Sequence, residues 1–118
     1  MDKVLQEGPL ERLFTGSAMS AILDFLIIYR HWDYSKTDIA KNAGVSFRTV
    51  LRLLPELEEM GVIKRTRNVG KASMYQLNAE SPITKALEDL NLKIAKHGAD
   101  KIVEKEGKKE ALKAPARE

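Results

Sequence analysis

The sequence predicts a mainly α-helical domain that carries one small β-hairpin, an arrangement of the α+β class. Serine residues stand directly before several apolar runs, as helix N-caps do, at Ser17, Ser46 and Ser81. Two β-rich stretches, residues 62–67 and 73–78, are separated by a short linker that contains glycine. This spacing is typical of a hairpin, so helices and a single pair of strands account for most of the chain.

Composition limits the classes of protein to which the chain can belong. It has 118 residues, of which 43% are hydrophobic and 31% are charged, as in a globular domain. Cysteine is absent, which excludes disulfides and thiolate metal sites. No apolar run approaches the ~20 residues of a membrane span and no secretory core is visible, so we expect a cytoplasmic protein. We expect an N-terminal extension over residues 1–16, a domain over 17–97, and a charged, partly disordered tail over 98–118.

Two predicted helices are candidates for a subunit contact. Ser17 begins a helix that runs to about Arg30 and is apolar on almost all sides. Such a helix has to be covered on both sides, either within its own chain or by a second subunit. Ser81 and Pro82 begin the last helix. A homodimer is expected to use the first helix over Ile22–Tyr29, the apolar stripe of the last helix, or both; the stripe is Ile83, Leu87, Leu90 and Ile94.

A helix-turn-helix pattern covers residues 36–54. Ser35 and Asp38 form a capping box that opens a short helix, and Gly44 supplies the left-handed turn that ends it. Ser46 caps a second helix, in which Pro55 departs from the pattern because an interior proline removes a backbone bond and favours a kink. The small, glycine and apolar positions required by two crossing helices are filled by Ile39, Ala40, Gly44, Val45, Val50 and Leu53.

The second helix of this motif carries a basic face. Arg48 and Arg52 are four residues apart and therefore share one side of the helix, with Thr49 beside them. This side lies opposite the apolar stripe and in the N-terminal half, which contacts base edges when such a helix enters the major groove. Arginine binds guanine with two hydrogen bonds, and threonine can reach a phosphate or a thymine methyl group. A solvated helix face with two arginines is the alternative interpretation.

The positive charge of the chain is unevenly distributed. The net charge is +3, but residues 1–33 hold three bases and five acids, whereas residues 46–76 hold six bases and three acids. The segment from Lys64 to Lys71 contains four bases and no acid. Cations on a protruding hairpin neutralise phosphates without reading sequence. A charged hairpin that stays soluble and avoids edge-to-edge pairing is the alternative.

The order of these elements resembles the winged helix-turn-helix transcriptional regulators of the ArsR- and MarR-like group, with small archaeal members the most similar. The resemblance covers about residues 10–97 and is carried by Lys36–Leu53, residues 57–63 and residues 74–78. It implies a homodimer on pseudo-palindromic double-stranded DNA.

The resemblance also implies which residues contact DNA. The helix over about residues 46–60 is expected in the major groove, and the hairpin over about 62–78 on the backbone or in the minor groove. The residues expected to read bases in the groove are Phe47, Arg48, Thr49 and Arg52. The expected wing contacts are Arg65, Arg67 and Lys71. The other expected DNA-binding residues are Lys36, Ser46 and Lys64.

Catalysis, a cofactor and a metal site are not expected. The histidines His31 and His97 are far apart in sequence and have no companion pattern of acids or nucleophiles. The sequence does not decide whether the protein binds a small-molecule effector. Trp32, Tyr34 and Phe47 could line a small apolar site, although packing in a core is the more common role of aromatic residues.

A protein-interaction module is the second functional hypothesis. Winged helices also dock onto proteins of the transcription or replication machinery, and fold alone does not separate this role from DNA binding. The basic residues of the second helix and hairpin favour DNA, and the salt dependence of binding distinguishes the two.

Overall fold

The computed structural model describes residue 3 and residues 7–113, with side chains as far as residue 99. None of the helices in this part of the chain combines the length and the apolar character needed to cross a membrane. The described elements are α1 (Pro9–Leu13), α2 (Ala18–Ile28), α3 (Lys36–Ala43), α4 (Phe47–Glu59), β1 (Ile63–Val69), β2 (Ala72–Leu77) and α5 (Pro82–Lys113).

Helix α2 lies at the centre of the core. Every residue from Ser20 to Ile27 is buried by the rest of the same chain. The expectation that Ile22–Tyr29 forms a subunit contact is therefore wrong for most of this segment, and only Ile28 and Tyr29 at its end are exposed. An all-round apolar helix needs cover on every side, and α1, α3 and the hairpin all pack against α2.

The helix-turn-helix pattern is confirmed. Ser35 and Asp38 form the capping box of α3, and Gly44 ends the helix with a φ of 70°. Ser46 caps α4 through its hydroxyl oxygen, which accepts a hydrogen bond from the backbone N–H of Thr49 at 3.1 Å. The apolar anchors Ile39, Ala40, Val50 and Leu53 are buried, and Val45 packs against them.

Pro55 does not end α4, which continues to Glu59. Proline leaves the carbonyl of Leu51 without its helical donor. Both Leu51 and Pro55 lie on the exposed side of α4, so water can hydrogen-bond that carbonyl. The cost of the lost bond is therefore smaller than in a buried helix.

The hairpin is confirmed and is called the wing below. Strands β1 and β2 pair in antiparallel fashion, and Gly70, with a φ of 62°, is the first residue of the turn. A third chain segment joins the same sheet, because Tyr34 and Tyr75 exchange two backbone hydrogen bonds of 2.7 and 2.8 Å. The wing is thus joined to the connection between α2 and α3.

The two ends of the expected domain differ from the sequence prediction. The expected extension over residues 1–16 contains α1, whose Leu10 is part of the core. Helix α5, which was expected to reach at least His97, runs through Gly98 and Gly107 to Lys113. The alanine, lysine and glutamate residues there favour a helix, and each glycine costs only about 1 kcal/mol. Residues 114–118 of the expected tail lie outside the described residues.

Helix α1 is too short to be stable alone and is fixed by a buried carboxylate. Gly8 offers no capping side chain, and Pro9 has no N–H. The oxygens of Asp24 in α2 accept the backbone N–H groups of Leu10 and Glu11, each at 2.9 Å. The Asn91 amide of α5 donates to the same carboxylate at 2.8 Å. Asp24 therefore joins α1, α2 and α5.

Candidate nucleic-acid interface

Helix α4 has one buried and one exposed side. Val50, Leu53, Leu54 and Leu57 pack into the core, which fixes the rotation of the helix. The opposite side carries Phe47, Arg48, Leu51 and Arg52, all exposed. Neither Arg48 nor Arg52 forms an ion pair or hydrogen bond with any described residue. Two guanidinium groups are thus free to bind an external acceptor.

The start of α4 is more constrained than its exposed face. The Ser46 hydroxyl lies 2.8 Å from the Thr49 hydroxyl and also accepts the Thr49 backbone N–H. Both side chains are therefore engaged in the helix cap. Each hydroxyl has further hydrogen-bonding capacity, because a hydroxyl offers one donor and two lone pairs.

Lys36 and Arg65 approach the same aromatic ring. The ammonium group of Lys36 lies 5.9 Å from the centroid of the Tyr75 ring, and the guanidinium carbon of Arg65 lies 5.5 Å from it. Tyr75 itself is buried at the base of the wing. Both distances are in the range of a cation–π contact, so Tyr75 brings the start of α3 and the wing together.

Two of the expected wing contacts already bind carboxylates of this chain. The Nε of Arg65 lies 2.8 Å from an oxygen of Glu58 in α4. Arg67 binds Asp33 with two hydrogen bonds, Nε to Oδ2 at 2.9 Å and Nη2 to Oδ1 at 3.1 Å. These two ion pairs cancel charge that the sequence assigns to the wing.

The two wing lysines differ from the arginines. Lys64 in β1 and Lys71 at the turn are exposed and make no ion pair or hydrogen bond among the described residues. Among the described residues of the expected DNA surface, the cations without an ion pair or hydrogen bond are therefore Arg48, Arg52, Lys64, Lys71 and Lys36, the last of which lies over the Tyr75 ring.

The Asp33 carboxylate is strongly stabilised in its charged form. Hydrogen bonds from Arg67 and then from Thr66 lower the pKa of Asp33 from 3.8 to about 2. The Asp33 carboxylate in turn raises the pKa of Arg67, and the Glu58 carboxylate raises that of Arg65. Asp33 and Arg67 therefore each stabilise the charged form of the other.

Sequence reasoning missed Asp33 and Glu58. Both lie outside the acid-free segment from Lys64 to Lys71, and no local pattern marks them as partners of the wing. Asp33 is separated from Arg67 by 34 positions and Glu58 from Arg65 by seven. Only the packing of the wing against the helical body brings these charges together.

The three aromatic residues considered for an effector site do not come together. Tyr34 packs on Phe25 at a centroid distance of 4.6 Å, as a core residue does. The expectation of aromatic core packing is wrong for Trp32 and Phe47, which are 70% and 46% exposed. Among the residues that the structure describes, no group of three or more histidine and acidic side chains could hold a metal ion.

The fold is similar to that of solved regulators. MepR, a transcription regulator of the Staphylococcus aureus multidrug efflux pump MepA, is 21% identical over 92% of this chain and 82% of its own, with a TM-score of 0.65. A MepR variant bound to an oligodeoxyribonucleotide is 22% identical, with coverages of 92% and 80% and a TM-score of 0.63. A MarR-family transcriptional regulator from Silicibacter pomeroyi is 18% identical, with coverages of 88% and 79% and a TM-score of 0.59.

No family model matches the chain, and no curated protein matches it. At these identities the feature shared with the solved structures is the fold. The expected fold class is confirmed: the chain is mainly helical, carries a two-stranded antiparallel wing, and has the winged-helix fold of MarR-family regulators.

Proposed function

We propose that this protein binds double-stranded DNA as a homodimeric transcriptional regulator of the ArsR- and MarR-like group. The observation that carries the proposal is a pair of arginines, Arg48 and Arg52, that lie on the exposed N-terminal half of α4 and have no partner among the side chains that the structure describes. A MepR variant of the same fold has been solved with an oligodeoxyribonucleotide, which supports DNA as the partner class. The small archaeal type stays a prediction from the sequence.

In this proposal α4 enters the major groove and reads bases. Arg48 and Arg52 bind guanine edges through paired hydrogen bonds, for which their free guanidinium groups are suited. Thr49 and Ser46 use their remaining hydroxyl capacity for phosphate or base contacts. Phe47 is exposed beside Arg48 and can contact a thymine methyl group.

The wing and the start of α3 hold the phosphate backbone. Lys64 and Lys71 neutralise phosphates without rearrangement, since neither has an ion-pair or hydrogen-bond partner in the described part of the chain. Arg65 and Arg67 are held by Glu58 and Asp33, so neither can contact the backbone unless it exchanges its carboxylate for a phosphate. Lys36 contributes from the N-terminus of α3 while its ammonium group lies over Tyr75.

A homodimer would place two recognition helices in successive major grooves. Exposed apolar residues on α1 and α5, namely Leu13, Phe14 and Leu92, offer a surface for a second copy. Of the expected α5 stripe, Ile83 is exposed, whereas Leu87, Leu90 and Ile94 pack partly against the core of their own chain. Two-fold symmetry then predicts half-sites about 34 Å apart, one turn of the DNA helix.

The decisive experiment measures DNA binding by variants of Arg48 and Arg52 that remove either the positive charge or only the shape of the guanidinium group. DNA fragments that the protein prefers are first selected from a random pool, and binding is then measured over a range of salt concentrations. With about four phosphate contacts per subunit, the log–log salt dependence of wild-type binding should have a slope of about −7.

The double variant Arg48→Ala/Arg52→Ala should lose its preference for the selected fragment and retain weak non-specific binding. Arg48→Lys/Arg52→Lys keeps the charge but cannot form paired bonds, so it should also lose preference while keeping more affinity. Lys85→Ala/Lys96→Ala removes two exposed cations of α5 that also form no ion pair among the described residues, and it serves as the matched control. Unchanged selectivity in both arginine variants would exclude groove reading by α4.

A protein-docking role is the second candidate, favoured by two exposed apolar residues on the same face. Phe47 and Leu51 are each 46% exposed, next to the arginines. Apolar and arginine side chains together are common at protein interfaces. Docking onto a protein would give weak salt dependence, and Phe47→Ala/Leu51→Ala would then reduce binding more than Arg48→Ala/Arg52→Ala.

A further inference from the structure

Asp33 joins the wing to the helical body. We infer that Asp33 is a positioning residue for DNA recognition: through Thr66 and Arg67 it fixes the wing, so that Arg67 sets the wing's position instead of contacting phosphate. The inference rests on the proposed DNA binding and deepens it, because it divides the basic residues of the wing into anchors and contacts.

Both oxygens of the Asp33 carboxylate are occupied by wing residues. Oδ2 accepts the hydroxyl of Thr66 at 2.6 Å and the Nε of Arg67 at 2.9 Å, and Oδ1 accepts Nη2 of Arg67 at 3.1 Å. Paired bonds between guanidinium and carboxylate fix orientation as well as distance. A single aspartate thus restrains two consecutive residues of β1.

A β-bulge makes this arrangement possible. Arg65 pairs with Tyr75 and Asn68 with Ser73, so Thr66 and Arg67 lie together opposite the single residue Met74. In a regular strand two consecutive side chains point to opposite faces of the sheet. The bulge re-aims one of them, and as a result both donate to the same carboxylate. The irregular backbone of β1 is therefore what allows both side chains to bind Asp33.

Asp33 is itself held in place. Its neighbour Tyr34 exchanges two backbone hydrogen bonds with Tyr75 of β2, and the Gln76 amide donates to the carbonyl of Arg30 at 3.0 Å. The next residue, Ser35, caps α3. A continuous set of bonds therefore runs from the wing through the α2–α3 connection to the helix-turn-helix.

The Asp33→Asn variant separates a purely electrostatic role of Asp33 from a positioning role, because the two roles predict opposite changes in DNA affinity. Asp33→Asn removes a negative charge and releases the Arg67 guanidinium, so simple attraction to phosphate predicts tighter DNA binding. If Asp33 positions the wing, the same variant weakens binding to the preferred fragment. The amide nitrogen of asparagine would face an Arg67 donor, so the paired bonds are lost while the side-chain shape is kept.

The test compares Asp33→Asn, Arg67→Gln and the double variant in the full chain. We expect each single variant to lower the ratio of specific to non-specific affinity about fivefold to tenfold, and the double variant to be no worse than either, because contacting residues are not additive. The slope of the salt dependence should not change in Arg67→Gln. Tighter binding by Asp33→Asn, or a slope reduced by about one per subunit in Arg67→Gln, would overturn the inference.

Thr66 supplies a matched pair of conservative variants. Thr66→Ser keeps the hydroxyl that donates to Asp33 and should bind like the wild type, whereas Thr66→Val keeps the shape without the hydroxyl and should lose selectivity. Thr66 is exposed, so neither change disturbs the core. Equal selectivity of the serine and valine variants would contradict the role of this hydrogen bond.

Hydrogen exchange of wing amides in the absence of DNA separates this inference from the proposed function. Asp33→Asn should lower protection in β1 and β2 and leave α2 unchanged. If the wild-type protein binds no DNA, the proposed function fails, and unchanged wing protection would then overturn the anchoring role as well. If the wild type binds DNA and Asp33→Asn alters neither protection nor selectivity, only the inference about Asp33 fails.

Discussion

Two aspartates each hold separate parts of this protein together, in different environments. Asp24 is completely buried, and its oxygens accept neutral donors from α1 and α5. Asp33 is half-buried, with 15% of its side chain exposed, and its main partner is the cationic side chain of Arg67, which is 63% exposed. The first joins the helices of the body, whereas the second joins the body to the wing.

The difference in environment shifts the two carboxyl groups in opposite directions. Burial raises the pKa of Asp24 in spite of its hydrogen bonds, whereas hydrogen bonds from Arg67 and Thr66 lower that of Asp33 to about 2. Removing a buried acceptor lowers stability strongly, because its donors are left without a hydrogen-bond partner and cannot reach water. An ion pair whose cation is exposed costs less to break, because water can replace the lost partner. Loss of the Asp33 contact is therefore expected to loosen the wing while the helical body stays folded.

The largest effect is expected on removal of the buried carboxylate. Asp24→Ala leaves the N–H groups of Leu10 and Glu11 and the amide of Asn91 without an acceptor, and should lower the free energy of unfolding by about 2–4 kcal/mol. Denaturant unfolding monitored by circular dichroism measures it. Asp89→Ala, which removes an exposed carboxylate of α5 that forms a surface ion pair with Lys93, is the control. A loss below about 0.5 kcal/mol would show that the helices do not depend on Asp24.

A smaller effect is expected where the backbone approaches Asp24. A Cβ atom on Gly8 would clash with the carboxylate of Asp24, while the backbone of Gly8 is in an extended conformation that alanine also adopts. Gly8→Ala should therefore destabilise by about 1–3 kcal/mol through steric conflict alone.

Gly98→Ala is the matched control for that variant. A Cβ there meets only the end of the flexible Arg12 side chain, at 3.0 Å. Because Gly98 lies inside α5, alanine should stabilise the helix by about 0.5–1 kcal/mol. Changes of the same sign in Gly8→Ala and Gly98→Ala would contradict the close approach of Gly8 to Asp24.

The smallest effect concerns pH and distinguishes the two aspartates directly. The folded-state pKa of Asp33 lies below its ordinary value of 3.8, so its ion pair stabilises the wing above about pH 4 and this contribution is lost as the pH falls towards 2. The pKa of Asp24 is raised, so its effect on stability has the opposite pH dependence. The free energy of unfolding that depends on Asp24 increases as the pH falls. Carboxyl carbon shifts followed by NMR should show Asp24 titrating above 3.8 and Asp33 at about 2. Two coincident titrations would contradict the comparison.

Much of the fold follows from local chemistry. Ser17, Ser35 and Ser46 cap their helices because a hydroxyl satisfies N–H groups only a few residues away. The exposure of Arg48 and Arg52 follows in the same way, since the apolar spacing of α4 decides which side is buried. Predictions that depend on neighbours within one helical turn were accurate for these elements.

Predictions that depend on distant neighbours were less accurate. The apolar surface of α2 indicated either a core or a subunit contact, and only packing against α1, α3 and the wing decided for the core. Trp32 was expected to pack in the core as aromatic residues commonly do, but it lies in an exposed connection. Neither outcome is specified by residues nearby in sequence.

The sequence by itself determined where helices α2 to α5 begin, which side of α4 is polar, and that the segment from Lys64 to Lys71 is basic. The tertiary structure alone decided which of those basic residues carry free charge. Asp33 and Glu58 reach Arg67 and Arg65 only after the wing folds back onto the body. Helix caps and helix faces depend on contacts within a turn, whereas the net charge of a surface depends on every chain segment that folding places beside it.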